Sequence, residues 1–291
     1  MIALMNFSAM RSLFWRLGRR LYSCARRDLS SGFQTSGEHW LLRNALADVD
    51  RSKSTILLDV GAHMGLWSES ATSLLMRQKA LGHVYAFEPA SSTFAYLSEK
   101  FKGSEMVSMN RIALSDQSGE QELFVVGELA GTNSLLRNEG ATIEDVHTLR
   151  LDDFLGMERI DHVLFVKSDT EGHDISVLLG AVETLQRGRV DVWQFEYNHR
   201  WIDQRSFLKD VFDFIVDKPY LLGKLYGNGI EIYDKWHPEL ERFFESNYVL
   251  IRKGSRFERL CSRVHFSNRN VLIPSQCMCQ STHTLNVRTV I

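Results

Sequence analysis

The sequence predicts an α/β fold built on a doubly wound, mostly parallel sheet with flanking helices, and three observations carry that expectation. Short apolar runs without polar alternation recur along the chain, as strands buried on both faces require; Thr55–Val60 (TILLDV) and residues 162–168 (HVLFVKS) are the clearest. Amphipathic stretches separate successive runs, and repeated strand–helix–strand units imply parallel pairing through right-handed crossovers. Glycines and acidic residues gather just after the runs, where open α/β sheets hold their ligands.

The regular pattern starts at residue 55. After Thr55–Val60 come Gly61-Ala62-His63-Met64-Gly65 and a helical stretch over residues 66–79. Residues 83–88 (HVYAFE) form a second strand, stopped by Pro89, which lacks an N–H and restricts the residue before it. Ser91 or Ser92 is the expected cap of the next helix, where Phe94, Leu97 and Phe101 recur three and four apart. Residues 106–112 read as a third strand, 121–126 and 147–151 as two shorter ones, and 127–140 as a loop. Strand 162–168, helix 174–186 and strand 190–196 restore the rhythm. A helix over 204–216 follows, then residues 219–226, a hairpin turn at Gly227-Asn228-Gly229 and a strand at 230–233. A helix over 237–246 and a strand at 248–252 close the sheet. Beyond Gly254 periodicity fades into Ser, Arg, Asn, Gln and Thr. The division expected is a basic helical extension over 1–54, one domain over 55–253 and a mobile tail over 254–291.

A chain of 291 residues, 44% of them hydrophobic, can bury one substantial core with flanking extensions. A formal net charge of -2 exerts no global pull on nucleic acid, and no nucleic-acid partner is expected. Cys24, Cys261, Cys277 and Cys279 lie outside the central region and form no paired framework, which points to reducing, cytoplasmic surroundings. No apolar run approaches the roughly 20 residues that span a bilayer. The first 27 residues, however, carry Arg11, Arg16, Arg19, Arg20, Arg26 and Arg27 and no acidic residue. Leu13, Phe14, Leu17 and Leu21 fall on one face of a helix there. The positive charges follow the apolar start, the reverse of a secretory signal. Three uses fit such a segment: docking on its own domain or fraying in solvent, adsorption to an anionic membrane surface, or organellar targeting.

The ends of the strands carry the chemistry. The first ends in Asp59-Val60-Gly61-Ala62-His63-Met64-Gly65, a turn whose glycines allow close backbone approach to a ligand. A dinucleotide fingerprint would have a middle glycine where His63 stands, so the turn suits a nucleoside without phosphates better than NAD. A plain strand–helix turn is the simpler alternative. The second strand ends in Glu88, about 20 positions beyond the glycines, where a carboxylate accepts from both ribose hydroxyls; no arginine adjoins it for a 2′-phosphate. Ala113, Ser115 and Asp116 follow the third strand and are placed to flank an adenine ring, although Asp116 also fits an ordinary turn. The fourth strand ends in Lys167-Ser168-Asp169-Thr170-Glu171-Gly172-His173-Asp174, where Asp169 or Thr170 can cap the next helix and the acids suit its dipole. The fifth brings Glu196 and His199 to the same rim.

Together these segments resemble the FkbM family of methyltransferases. Leu58 to Gly65 and Ala86-Phe87-Glu88-Pro89 resemble its first two motifs, Lys167 to Gly172 its Lys-x-Asp-x-Glu-Gly signature, and Leu151-Asp152-Asp153-Phe154 its Leu-Asp-Asp-Phe element. Residues 194–198, 202–214 and 240–248 are similar to one subgroup. The resemblance covers about residues 55–252; Ser168 departs from the family's usual aliphatic residue. It implies a Rossmann-like methyltransferase fold, S-adenosylmethionine as donor, and O-methylation of a sugar, glycan or related small molecule. It also implies that Asp59, Gly61, Ala62, His63 and Gly65 line the methionine and ribose part of the cofactor, with Glu88 on the ribose hydroxyls. Ala113, Ser115 and Asp116 would border adenine, and Asp169 would lie beside the cofactor.

Methyl transfer to a hydroxyl needs alignment and gains from a base. His173 is the first candidate for that base, since an imidazole titrates near neutrality; Asp169 and Glu196 are next, and either could instead orient the imidazole or bind the acceptor. A Mg²⁺ ion on Asp169, Glu196 and His199 has no support in the spacing, and no metal is expected. An acceptor would meet the loop 127–140 and residues 201–226, with Trp193, Tyr197 and Trp201 available to stack on a sugar. The competing readings are an NAD(P)-dependent oxidoreductase on the same fold and a non-catalytic protein that keeps the cofactor fold.

Overall fold

Two helices, α1 (Phe7–Ala25) and α2 (Glu38–Ala47), precede the first strand in the computed structural model, which describes residues 7–28, 32–137 and 139–275. Cys277 and Cys279 lie outside the described residues. The units β1 (Thr55–Val60), α3 (Leu66–Gln78), β2 (Gly82–Phe87), α4 (Ser91–Lys100) and β3 (Val107–Asn110) then set three parallel strands side by side. The chain next leaves the main sheet. The short strands β4 (Ala113–Leu114), β5 (Gly119–Val125) and β6 (Thr142–Leu149) make a separate sheet in the order β4-β6-β5.

Helix α5 (Leu151–Met157) leads back to β7 (Val163–Ser168), which pairs parallel with β1 on the side away from β2. After α6 (Asp174–Leu179) and α7 (Val182–Gln186), β8 (Val190–Tyr197) adds parallel to β7. The order of strands therefore reverses between β1 and β7, and the carboxyl ends of those two strands open onto the crevice where such sheets bind ligands.

Neighbouring residues of one strand serve two cores. Leu57 belongs to the core under α2 and α3, with Leu42, Trp67, Leu75 and Phe165. Leu58 belongs to the opposite core, with Phe154, Leu155, Val177 and Trp193. This two-sided burial is the reason the strands read as continuous apolar runs.

The remaining elements are α8 (Leu208–Phe214), β9 (Tyr220–Tyr226), β10 (Gly229–Tyr233), β11 (Ser246–Arg252), β12 (Cys261–Phe266) and β13 (Leu272–Pro274). The sheet runs β13-β12-β10-β9-β11-β8-β7-β1-β2-β3, so β11 does not close it but lies inside, antiparallel to both β8 and β9.

Several expected elements differ. The helix expected over 174–186 is broken into α6 and α7 at Gly180, where a Cβ would stand 2.1 Å from the Ser115 carbonyl oxygen. The helix expected over 237–246 is a single 3₁₀ turn, Pro238–Leu240. Glu241 is instead held by tertiary bonds: Tyr197 Oη (2.7 Å), Trp236 Nε1 (2.7 Å) and the amides of Leu208 (3.1 Å) and Lys209 (2.7 Å) at the start of α8 all donate to it. Neither Ser91 nor Ser92 caps α4; Ala90 occupies that place, and Glu144 of β6 accepts from the Ser91 amide (3.1 Å) and hydroxyl (3.0 Å).

Both expected boundaries shift as well. Residues 254–275, expected in a mobile tail, supply a 3₁₀ turn and the strands β12 and β13, with β12 parallel to β10; residues 276–291 lie outside the described residues. At the other end α2 is part of the core, with Leu41, Leu42, Ala45 and Leu46 fully buried. Leu42→Ala is therefore expected to lower the unfolding free energy by about 2–5 kcal/mol in urea titration. A change under about 0.5 kcal/mol would return residues 38–47 to a dispensable extension.

Candidate active site

One cleft opens at the β1–β7 crevice. Gly61 is at its floor with φ +74°, a left-handed conformation, and a Cβ there would fall 2.0 Å from the Asp169 carbonyl oxygen. Only glycine fits where these two strand ends touch. His63 takes the middle-glycine position of the turn with φ +50°. Its ring Nε2 donates to the Leu129 carbonyl (2.9 Å), which ties the loop 127–140 over the cleft.

Glu88 faces this turn. Its two carboxylate oxygens accept from the amides of His63 (2.9 Å) and Ala90 (3.0 Å), and burial raises its pKa. Each oxygen keeps a second lone pair, so the carboxylate retains acceptor capacity towards a ligand.

Of the residues expected at the cofactor, Gly61, His63, Glu88, Ala113 and Asp169 line the cleft, together with His173. Ile112, Leu114, Leu123 and Leu135 add an apolar slot, and Ala130, Gly131, Asn133 and Ser134 form the wall expected of the loop.

Other expected residues lie behind the wall. Asp59 is fully buried beneath the turn, where it accepts from Ser68 Oγ (2.7 Å) and stands 3.8 Å from Lys167 Nζ. The Ala62 amide is used by the Phe87 carbonyl (2.9 Å), and its side chain joins the core under α3. Gly65 faces α4 instead of the cleft: a Cβ would meet Phe101 at 2.5 Å and Leu97 at 2.7 Å. Ser115 and Asp116 form the layer behind His173, with the Ser115 hydroxyl donating to Asp116 (3.0 Å). Trp193, Tyr197 and Trp201, considered for sugar stacking, are core side chains with no more than 1% exposure.

The three candidates for acid–base work separate. His173 lines the cleft but has both ring nitrogens engaged. The Gln204 amide donates to Nδ1 (2.8 Å), so Nε2 carries the proton and donates to Ser115 Oγ (3.0 Å). Burial lowers its pKa to about 4, leaving it neutral and its lone pair occupied. The imidazole is thus a strut between β4 and the segment before α8, not a free base. Glu196 is outside the cleft lining; it accepts from Asn198 Nδ2 (2.7 Å), and burial, followed by Asp169, Asp174 and Glu171, raises its pKa to about 10. It is protonated at neutral pH and unable to accept a proton there. His199, weighed as a metal ligand, is exposed. Asp169 stands at the cleft edge, 3.3 Å from Lys167 Nζ. Burial works against the Lys167 ammonium, but Asp169, Asp59 and Glu38 outweigh it and keep it charged.

Glu171, read from sequence only as part of a capping segment and motif, also lines the cleft. It adopts φ +55°, and Gly172 follows at φ +96°, where a Cβ would stand 2.6 Å from Arg200 Cβ. Ser134 Oγ donates to the Glu171 carbonyl (3.0 Å), and Arg200 Nε lies 3.3 Å from its carboxylate. Burial, with Asp169 adding to it, raises the Glu171 pKa to about 7. Asp174, not Asp169 or Thr170, ties the segment to the start of α6, accepting from the Thr170 amide (3.2 Å) and hydroxyl (3.0 Å). The left-handed turn at Glu171 is a backbone feature that periodicity does not reveal.

The described lining contains three carboxylates (Glu88, Asp169 and Glu171) and no lysine or arginine. A diphosphate would find no counter-charge here, whereas a cationic nucleoside would. The donor set fits a sulfonium nucleoside, with Glu88 beside the apolar slot to hold the ribose and the slot to take the base.

The model of the methyltransferase FkbM domain matches residues 59–222. No curated protein matches the sequence. Among solved structures, the chain is similar to methyltransferase FkbM from Methylobacillus flagellatus KT, with 15% identity and a TM-score of 0.45 over 82% of this chain. This chain spans 60% of the length of that protein. It is also similar to an rRNA methylase from Streptococcus thermophilus, with 12% identity and a TM-score of 0.37 over 74% of this chain and 94% of that one. M. capricolum TrmK, solved with S-adenosyl-homocysteine, has 13% identity and a TM-score of 0.38 over 75% and 72% of the two chains.

The His173 strut has a solution signature. Its imidazole is expected to remain neutral, with the proton on Nε2, until the pH approaches about 4 in an NMR titration. With the folded pKa below the unfolded value of 6.5, the stability it contributes is present above pH 6.5 and lost as pH falls through about 4. An ordinary titration near 6.5 would remove the strut.

Proposed function

This chain belongs to the FkbM methyltransferase family, and on that premise we propose that it uses S-adenosylmethionine to methylate a hydroxyl of a sugar, glycan or related small molecule. The single observation that carries the site assignment is the pairing of Glu88 with the Gly61–His63 turn across a cleft lined by carboxylates. Bound there, S-adenosylmethionine supplies an electrophilic methyl group that needs no further activation. The remaining task of the chain is to hold an acceptor oxygen in line with that methyl, and such orientation contributes on the order of 7–11 kcal/mol.

Glu171 acts as the base in this reading. As the new C–O bond forms and the C–S bond breaks, the hydroxyl proton passes to the Glu171 carboxylate. A pKa of about 7 leaves that carboxylate largely ionised slightly above neutrality while keeping it basic enough to accept the proton. Arg200 pairs with this carboxylate, and the Ser134 hydroxyl holds the Glu171 backbone carbonyl from a separate segment. Asn133 and Ser134, on the loop beside it, are the polar groups available to an acceptor.

Two measurements test the reading. Isothermal titration is expected to show S-adenosylhomocysteine binding and no NADH binding, with Glu88→Gln weakening the former by about 10–100-fold, the worth of a hydrogen bond to a charged group. Equal affinity in wild type and Glu88→Gln would remove Glu88 from the cofactor. The second measurement is the pH profile of methyl transfer, for which kcat is expected to rise through about pH 7 as Glu171 ionises. Glu171→Gln is expected to abolish that limb and lower kcat about 10²–10⁴-fold, with S-adenosylhomocysteine affinity unchanged. A retained limb in Glu171→Gln would assign the base elsewhere.

A further inference from the structure

Helix α1 is exposed along residues 8–22. Leu13, Phe14, Leu17 and Leu21, spaced three and four apart, are 46%, 64%, 51% and 62% exposed, and Met10 extends the same stripe at 39%. Apolar area of this kind on one helix marks an interaction surface.

The contacts of α1 with the domain show why the stripe is bare. Tyr22 Oη donates to Glu239 (2.9 Å), and Arg242 lies 5.3 Å from the centre of the Tyr22 ring. The Arg19 guanidinium lies over Phe244 at 5.1 Å. Arg19 and Tyr22 are on the side of the helix opposite the apolar stripe, at 100° per residue. The domain therefore holds α1 by its polar side and turns the stripe outward. Below the helix the mount is firm: Asp28 is ion-paired with Lys224 and with Arg242 (2.6 Å), and Arg27 with Glu231 (3.3 Å). Of the uses the sequence left open, docking of the helix on its own domain is made through Arg19 and Tyr22 and leaves the stripe bare.

We infer that α1 is a docking element that lies in the plane of an anionic membrane surface, with Met10, Leu13, Phe14, Leu17 and Leu21 among the acyl chains. Charge complementarity selects this occupant. Arg11 and Arg20 flank the stripe on either side, Arg16 lies further round, and the first 27 residues contain no acidic side chain. A second copy packed through the same stripe would bring two sets of these arginines together with no acid in the helix to neutralise them. Anionic headgroups supply that neutralisation, and the polar side of α1 stays on the domain during adsorption.

The test is flotation of the full chain with vesicles of phosphatidylcholine alone and of phosphatidylcholine mixed with phosphatidylglycerol. The wild type is expected to float with the anionic vesicles and to remain largely behind with neutral ones. Phe14→Glu with Leu17→Glu is expected to reduce the anionic-vesicle fraction about tenfold or more, and Arg11→Gln with Arg16→Gln and Arg20→Gln to remove the preference for anionic lipid. S-adenosylhomocysteine affinity is expected to be unchanged in every variant, which separates loss of docking from loss of fold. Flotation of the Phe14→Glu/Leu17→Glu variant like the wild type would overturn the inference, as would a wild type that ignores both vesicles. A dimer in light scattering that Phe14→Glu/Leu17→Glu converts to monomer, without vesicle binding, would overturn it in favour of a second copy.

Discussion

The cleft depends on how closely β1 and β7 meet at their carboxyl ends. The Asp169 amide donates to the Val60 carbonyl at 3.0 Å, and the Asp169 carbonyl occupies the space that a side chain on Gly61 would need. This contact brings two neighbourhoods to one opening. On one side β2 delivers Glu88, whose carboxylate binds back to the turn; on the other, β7 continues into the left-handed residues Glu171 and Gly172. Were the strand tips separated by one side chain's width, those carboxylates would no longer face one another across the same space.

Concentrating carboxylates in that opening has an electrostatic cost, and the surroundings distribute it. Asp169 is held by Lys167 from below and Glu171 by Arg200 from the side. Glu196, deeper and without a cation, keeps its proton instead. The same crowding that protonates Glu196 pushes Glu171 upward less far, because Glu171 is more exposed and has its arginine. Acids from the ends of two adjoining strands are thus divided between structure and chemistry by burial and by the nearest cation. His173 follows the same logic, since burial between two hydrogen-bond partners makes it a neutral strut.

The loop 127–140 links the small sheet to this chemistry. His63 holds it at Leu129, Ser134 bonds to the Glu171 carbonyl, and Arg200 reaches the Thr132 carbonyl at 3.4 Å. The wall that would meet an acceptor is therefore anchored to the turn, the acidic segment and the stretch after β8, and a shift in any one is felt by the other two.

The sequence by itself determined the parallel strands and the presence of Gly61, Glu88 and Asp169 at strand ends. Each of these is written locally, as an apolar run buried on both faces or as a residue placed just beyond such a run. Only the tertiary structure decided which of the marked residues face the opening. Gly65 and Gly180 are glycines because another segment presses on them, Asp59 is an acid beneath the turn and not on it, and Glu241 draws its own segment out of a helix by binding four donors from elsewhere. Strands β12 and β13 gain their stability from an edge that the sequence around them does not mention. Periodicity reports how a segment partitions between water and core; it does not report which neighbour fills the space beside a given atom, and that neighbour decides whether a carboxylate is a strut, a proton store or a base.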